Sequence, residues 1–134
     1  MSARRQRLTV GERLGPLDKG PLTTRQLVMY AGASGDFNRI HYDEPFAREA
    51  GFPSVIVHGM LSMAFFGELL SGAVGPTRVR ALSARFRAVA VPGEVLTLTG
   101  EVTEADGEQA TLALVARRAD GVVVLEGSAR VTQE

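Results

Sequence analysis

From Val79 onward apolar and polar residues alternate, and turn residues punctuate the alternation. Leu96-Thr97-Leu98-Thr99 and Thr111-Leu112-Ala113-Leu114 have the period-two pattern of strands with one buried face. The rhythm predicts strands over residues 79–91, 94–104, 109–118 and 122–131. Pro92-Gly93, Asp106-Gly107 and Ala119-Asp120-Gly121 separate them, and the Asp-Gly pairs favour tight hairpin turns. On the first of these strands Phe86 is expected to point into the core, with Arg85 and Arg87 facing out.

The earlier part of the chain reads differently. A short strand is expected over 13–17, followed by a turn at Asp18-Lys19-Gly20-Pro21. Thr23 or Thr24 can cap a helix running to about Ala33, with Leu27, Val28 and Tyr30 on its apolar side. Pro45 after Asp43-Glu44 suggests a second short helix to Ala50, stopped by Gly51. The longest helix is predicted over 59–73. It is apolar almost all round, so it belongs inside a core, and its small residues would let a sheet backbone come close. A buried helix followed by an antiparallel meander makes an α+β domain.

A chain of 134 residues is read as one domain over 1–134, with a frayed, solvated N-terminus over 1–7. Fifteen basic residues balance fifteen acidic ones, which removes any bulk electrostatic case for nucleic acid or an anionic membrane. With no cysteine there are no disulfides, thiol nucleophiles or thiolate metal sites, which fits a cytoplasmic protein. Met1-Ser2-Ala3-Arg4-Arg5-Gln6-Arg7 is basic but precedes no apolar run, so no secretory signal is expected. The apolar stretch 55–74 is about as long as a membrane span, but His58, Glu68, serines and glycines interrupt it, and a buried helix is the better reading.

Chemistry concentrates in two places. Ser34-Gly35-Asp36-Phe37-Asn38-Arg39-Ile40-His41 sets a carboxylate and an imidazole five positions apart, and His58-Gly59-Met60 opens the long helix. These hold the only two histidines of the chain. Taken singly, Asp36 can be a turn cap and His41 a satisfied loop histidine. Asp43 and Glu44 beside His41 suggest a metal site only weakly, and no metal is expected. Arg78, Arg80, Arg85, Arg87, Arg117 and Arg118 either form a solvated strand face or meet phosphates.

Together, Tyr30-Ala31-Gly32-Ala33-Ser34-Gly35-Asp36-Phe37-Asn38-Arg39-Ile40-His41 and Val57-His58-Gly59-Met60-Leu61 resemble the MaoC-type (R)-specific enoyl-CoA hydratases and 3-hydroxyacyl dehydratases of the hot-dog fold. The family pattern is a Ser-Gly-Asp-x-Asn-Pro-(Ile/Val)-His loop followed by a His-Gly-Met helix start. Phe86 and Val91-Pro92-Gly93-Glu94 extend the likeness, which covers roughly residues 21–131. The chain departs from the pattern at Arg39, where the family usually has proline; a charge near the entrance replaces a stiff ring.

The resemblance implies a sheet wrapped around a long central helix, and a hydro-lyase acting on 2-enoyl or (R)-3-hydroxyacyl thioesters of coenzyme A or an acyl carrier protein. Asp36 and His41 would activate water, and the Gly59 N–H would stabilise the thioester oxyanion. Asn38, His58, Met60 and Tyr30 would lie at the substrate site, with Asn38 and His58 chiefly holding the loop. No cofactor is needed, since the thioester is itself activated. A homodimer is expected, or a heterodimer with a related hot-dog chain in which this is the catalytic subunit. The alternative activity is a hot-dog thioesterase, for which Glu68 is the only carboxylate within the long helix.

Overall fold

The computed structural model describes residues 7–134. The expected frayed segment 1–7 therefore lies outside the described residues, apart from Arg7, whose guanidinium donates to Gly107 O at 2.6 Å. In chain order the elements are β1 Arg13–Lys19, α1 Thr24–Ser34, α2 Glu44–Glu49, α3 Gly59–Val74, β2 Val79–Phe86, β3 Leu96–Ala105, β4 Gln109–Arg118 and β5 Val123–Thr132. Short 3-10 turns cover Arg39–His41 and Pro76–Arg78.

The strands form one antiparallel sheet in the order β1-β3-β4-β5-β2. Alternation does here what it predicted. Leu96, Leu98, Val102, Leu112, Leu114, Ala116 and Leu125 are buried on the side that faces α3. Burying one such leucine contributes about 1.5–3 kcal/mol relative to leaving it in water. β1 runs two residues beyond its expected end, because Asp18 and Lys19 pair with Thr97 and Leu96 where a turn was anticipated.

Two expectations need correcting. α3 is not buried all round: Leu61, Phe65, Phe66, Leu69, Leu70 and Val74 face the sheet, while Met60, Ala64, Glu68 and Gly72 are exposed. Beyond Met60 the outer face carries the small Ala64 and Gly72 and the charged Glu68, so one buried stripe suffices. Nor do Gly67 and Gly72 mediate the close approach to the sheet. A Cβ on Gly67 or Gly72 would meet nothing within 4 Å, whereas one on Gly127 of β5 would lie 2.9 Å from Ser83 O and 3.0 Å from the Phe66 ring.

The strand expected over 79–91 stops at Phe86. Arg87 and Ala88 both donate to Val124 O, at 2.8 and 3.3 Å, which ends the ladder. The chain then turns so that Ala90 O accepts from Val57 N at 2.8 Å, which ties it to the segment leading into α3.

Candidate active site

The loop after α1 begins where the sequence requires it. Thr23 caps α1 by accepting from Gln26 N at 3.1 Å, and Gly35 closes it at φ 77°, a left-handed conformation that favours glycine. Asp36 Oδ1 accepts from Asn38 N at 3.2 Å, and Asn38 Oδ1 accepts from Ile40 N at 3.2 Å. These side-chain turns wind the backbone into the 3-10 turn that carries His41. Asp36 is half-exposed and His41 buried, and Asp36 Oδ2 lies 3.7 Å from His41 Nε2.

His41 has a defined tautomer. Its Nδ1–H donates to Ile56 O at 2.7 Å, so in the neutral ring Nε2 carries the lone pair. Ile56 N donates in turn to Ile40 O at 3.0 Å, which locks the segment before α3 against the Asp36–His41 loop. Nε2 faces Asp36 at a distance too long for a direct hydrogen bond and suited to a shared water.

His58 sits behind this pair. Its Nε2–H donates to Asp36 O at 3.2 Å, and its ring stacks on His41 with centroids 3.7 Å apart. Tyr30 meets His58 edge-on at 4.8 Å. Burial holds the His58 imidazole below its ordinary value of 6.5, so the ring is neutral near pH 7; the hydrogen bond to Asp36 O opposes this shift. Its Nδ1 is buried without a hydrogen-bond partner among the described residues. The hydrogen bond to Asp36 O is the loop-holding contact expected of His58.

Asp36, His41 and His58 offer ligand atoms within 4.8 Å of one another. Each ring already commits one nitrogen to a backbone carbonyl, His41 Nδ1 to Ile56 O and His58 Nε2 to Asp36 O. Asp43 and Glu44 are turned to other work. Asp43 Oδ1 caps α2 through Phe46 N at 3.2 Å, and Glu44 pairs with Arg48 at 3.3 Å.

Arg39 is not the free charge its position suggested. Its guanidinium reaches Asp43 Oδ2 at 2.8 Å and lies over the Phe46 ring at 4.3 Å, stapling the loop to α2. The Arg39 side chain holds the Asp43 carboxyl below the usual carboxylate range.

Gly59 opens α3, and the first N–H groups of a helix have no partner within it. The glycine lies close against its neighbour: a Cβ would be 2.8 Å from the Phe86 ring, which would have to shift. Phe86 is therefore not core, as the strand pattern suggested. It takes the helix-facing side but at the end of the strand, 55% exposed. Met60 beside it is also exposed, and Asn38 acts within its own turn.

A cleft of about 390 Å³ reaches His41 and is lined also by Thr24, Val28, Tyr42, Val55 and Pro92. Sequence patterns gave no sign of Tyr42, Val55 or Pro92 here, since each comes from a different loop. Buried Ser62, three residues along α3 from Gly59, was equally silent. Glu68 lies elsewhere, half-exposed and bound to Lys19 at 2.9 Å. Among the arginines, Arg78 is buried and donates to Thr132 O at 2.7 Å, so it joins no solvated face. Arg87 pairs with Glu126, and Arg118 with Asp120 and Glu94.

Comparison with known proteins gives the same picture. The chain is 36% identical over 110 residues to the enoyl-CoA hydratase ChsH3 of Mycobacterium tuberculosis, a match covering 80% of this chain and 37% of that protein. It thus spans little more than a third of that relative's length. The (R)-hydratase from A. caviae involved in PHA biosynthesis superimposes with a TM-score of 0.85 at 30% identity, covering 95% of this chain and 98% of the other. A chain of the ChsH1-ChsH2 complex from Mycobacterium tuberculosis has a TM-score of 0.85 at 20% identity over 94% of this chain and 98% of its own, a likeness of fold. The sheet wrapped on α3 is the expected α+β hot-dog architecture. With residues 6–122 matching the MaoC like domain and the Asp36–His41 loop folded against the α3 N-terminus, the chain belongs to the MaoC-like dehydratase family.

Proposed function

We propose that this chain is one MaoC-like domain that adds water to 2-enoyl thioesters, or removes it from (R)-3-hydroxyacyl thioesters, of coenzyme A or an acyl carrier protein. The observation that carries the reading is the His41 tautomer: with Nδ1–H committed to Ile56 O, the Nε2 lone pair faces Asp36 Oδ2 at 3.7 Å. In the hydration direction, Asp36 orients a water and His41 Nε2 takes its proton as oxygen bonds to C3. The C2–C3 π pair shifts toward the thioester, whose oxygen accepts from the Gly59 N–H, a donor worth about 3 kcal/mol in the transition state. Return of the proton to C2 restores the carbonyl and completes the addition. Dehydration is the same path reversed.

Hydration of a short 2-enoyl-CoA by the purified protein tests the assignment, and wild-type rates in both Asp36→Asn and His41→Gln would overturn it. We further propose a cytoplasmic protein that works as a dimer. β2 is an edge strand of the sheet, and an unpaired edge invites a second strand. The neighbour from a two-chain complex supports a related chain as an alternative partner to a second copy. Mass in solution, measured for the chain alone, distinguishes these assemblies.

A further inference from the structure

Phe86 closes one side of Gly59. An ideal Cβ on Gly59 would lie 2.8 Å from Phe86 Cε1 and 2.9 Å from Cδ1, inside the contact distance of carbon atoms. Phe86 and Leu125 are opposite each other on the β2–β5 ladder and so share the helix-facing side of the sheet. Leu125 is fully buried there, whereas Phe86 is 55% exposed. Packing of the core therefore does not account for a large aromatic ring at this point, and the ring lies against the first residue of α3.

We propose that Phe86 is a specificity-determining wall of the acyl site, limiting the bulk carried at C2 and so favouring straight-chain over 2-branched enoyl groups. The proposal rests on the reading of the Gly59 N–H as oxyanion donor. A thioester oxygen held about 2.9 Å from that nitrogen lies beside the ring that covers the same residue. The carbonyl carbon follows one bond away and C2 two bonds away. A methyl on C2 enters the space held by the ring, while a chain lengthened at its far end grows away from it. In an apolar pocket a single methyl changes kcat/KM by about 10-fold to 200-fold.

The test compares trans-2-butenoyl-CoA with 2-methyl-2-butenoyl-CoA. In Phe86→Ala the branched-to-straight ratio of kcat/KM is expected to rise about tenfold, with Phe86→Leu between it and wild type. An unchanged ratio, in a protein whose wild type hydrates the straight thioester, overturns the role of Phe86 alone. Wild type that hydrates neither thioester overturns the underlying reading as well. Thermal unfolding supplies an arm independent of turnover: Gly59→Ala should lower Tm, and adding Phe86→Ala should restore most of the loss. Strictly additive changes in Tm would overturn the contact on which the proposal stands.

Discussion

The imidazole of His58 lies on that of His41, with ring planes inclined by only 19°. The two rings are held by different backbone carbonyls, Asp36 O for His58 and Ile56 O for His41. The stack thus joins the Asp36–His41 loop to the segment that opens α3. Because burial keeps His58 neutral, the ring proposed to take a proton rests on an uncharged one.

Stability should depend on pH through His58. Its folded pKa is depressed below the unfolded 6.5, so between these values the unfolded chain binds more protons than the folded one. The contribution is fully present above 6.5 and is lost as pH falls through the folded value. Urea midpoints of wild type should decline with acidification below 6.5, and those of His58→Phe, which keeps a stacking ring, should decline less. Parallel profiles would remove His58 as the source.

Asp36→Asn and His41→Gln should each lower the hydration rate of a short 2-enoyl-CoA by about 10²–10⁴-fold, the usual weight of a positioned acid–base group. The double variant should fall little further if, as proposed, both groups act on one water. Far-ultraviolet circular dichroism should be unchanged, because Asp36 is half-exposed and its turn-forming hydrogen bond survives as an amide oxygen.

Glu68→Gln should retain the wild-type hydration rate. Its carboxylate is occupied by Lys19 at 2.9 Å and does not line the cleft that reaches His41. Saturated acyl-CoA incubated with wild type should release no free thiol. Thiol release abolished by Glu68→Gln would establish a thioesterase instead.

Gly127→Ala should destabilise the fold by about 1–3 kcal/mol in denaturant titration. The added methyl meets Ser83 O at 2.9 Å and the Phe66 ring at 3.0 Å. A backbone oxygen cannot move aside as a side chain can, and Phe66 is fully buried. Gly67→Ala is the control: with nothing within 4 Å of its Cβ, it should be neutral or slightly stabilising.

By itself the sequence determined most of the elements and the family resemblance. Period-two alternation placed β3, β4 and β5 within about two residues, because a half-buried strand writes its buried face directly into every second position. The Asp36–His41 spacing was legible for a similar reason, since a short loop with its own capping side chains is a local object. Tertiary structure decided what depends on residues far apart in the chain. The Asp18–Lys19 pairing with β3, the exposure of Phe86 and its contact with Gly59 are set by register and strand ends. Arg39 is a local exception: its partners Asp43 and Phe46 lie four and seven residues away, but spacing alone did not show that the charge near the entrance is paired. The stacking of His58 on His41 has no sequence signature at all: alternation reports which face is buried, and never which buried groups touch.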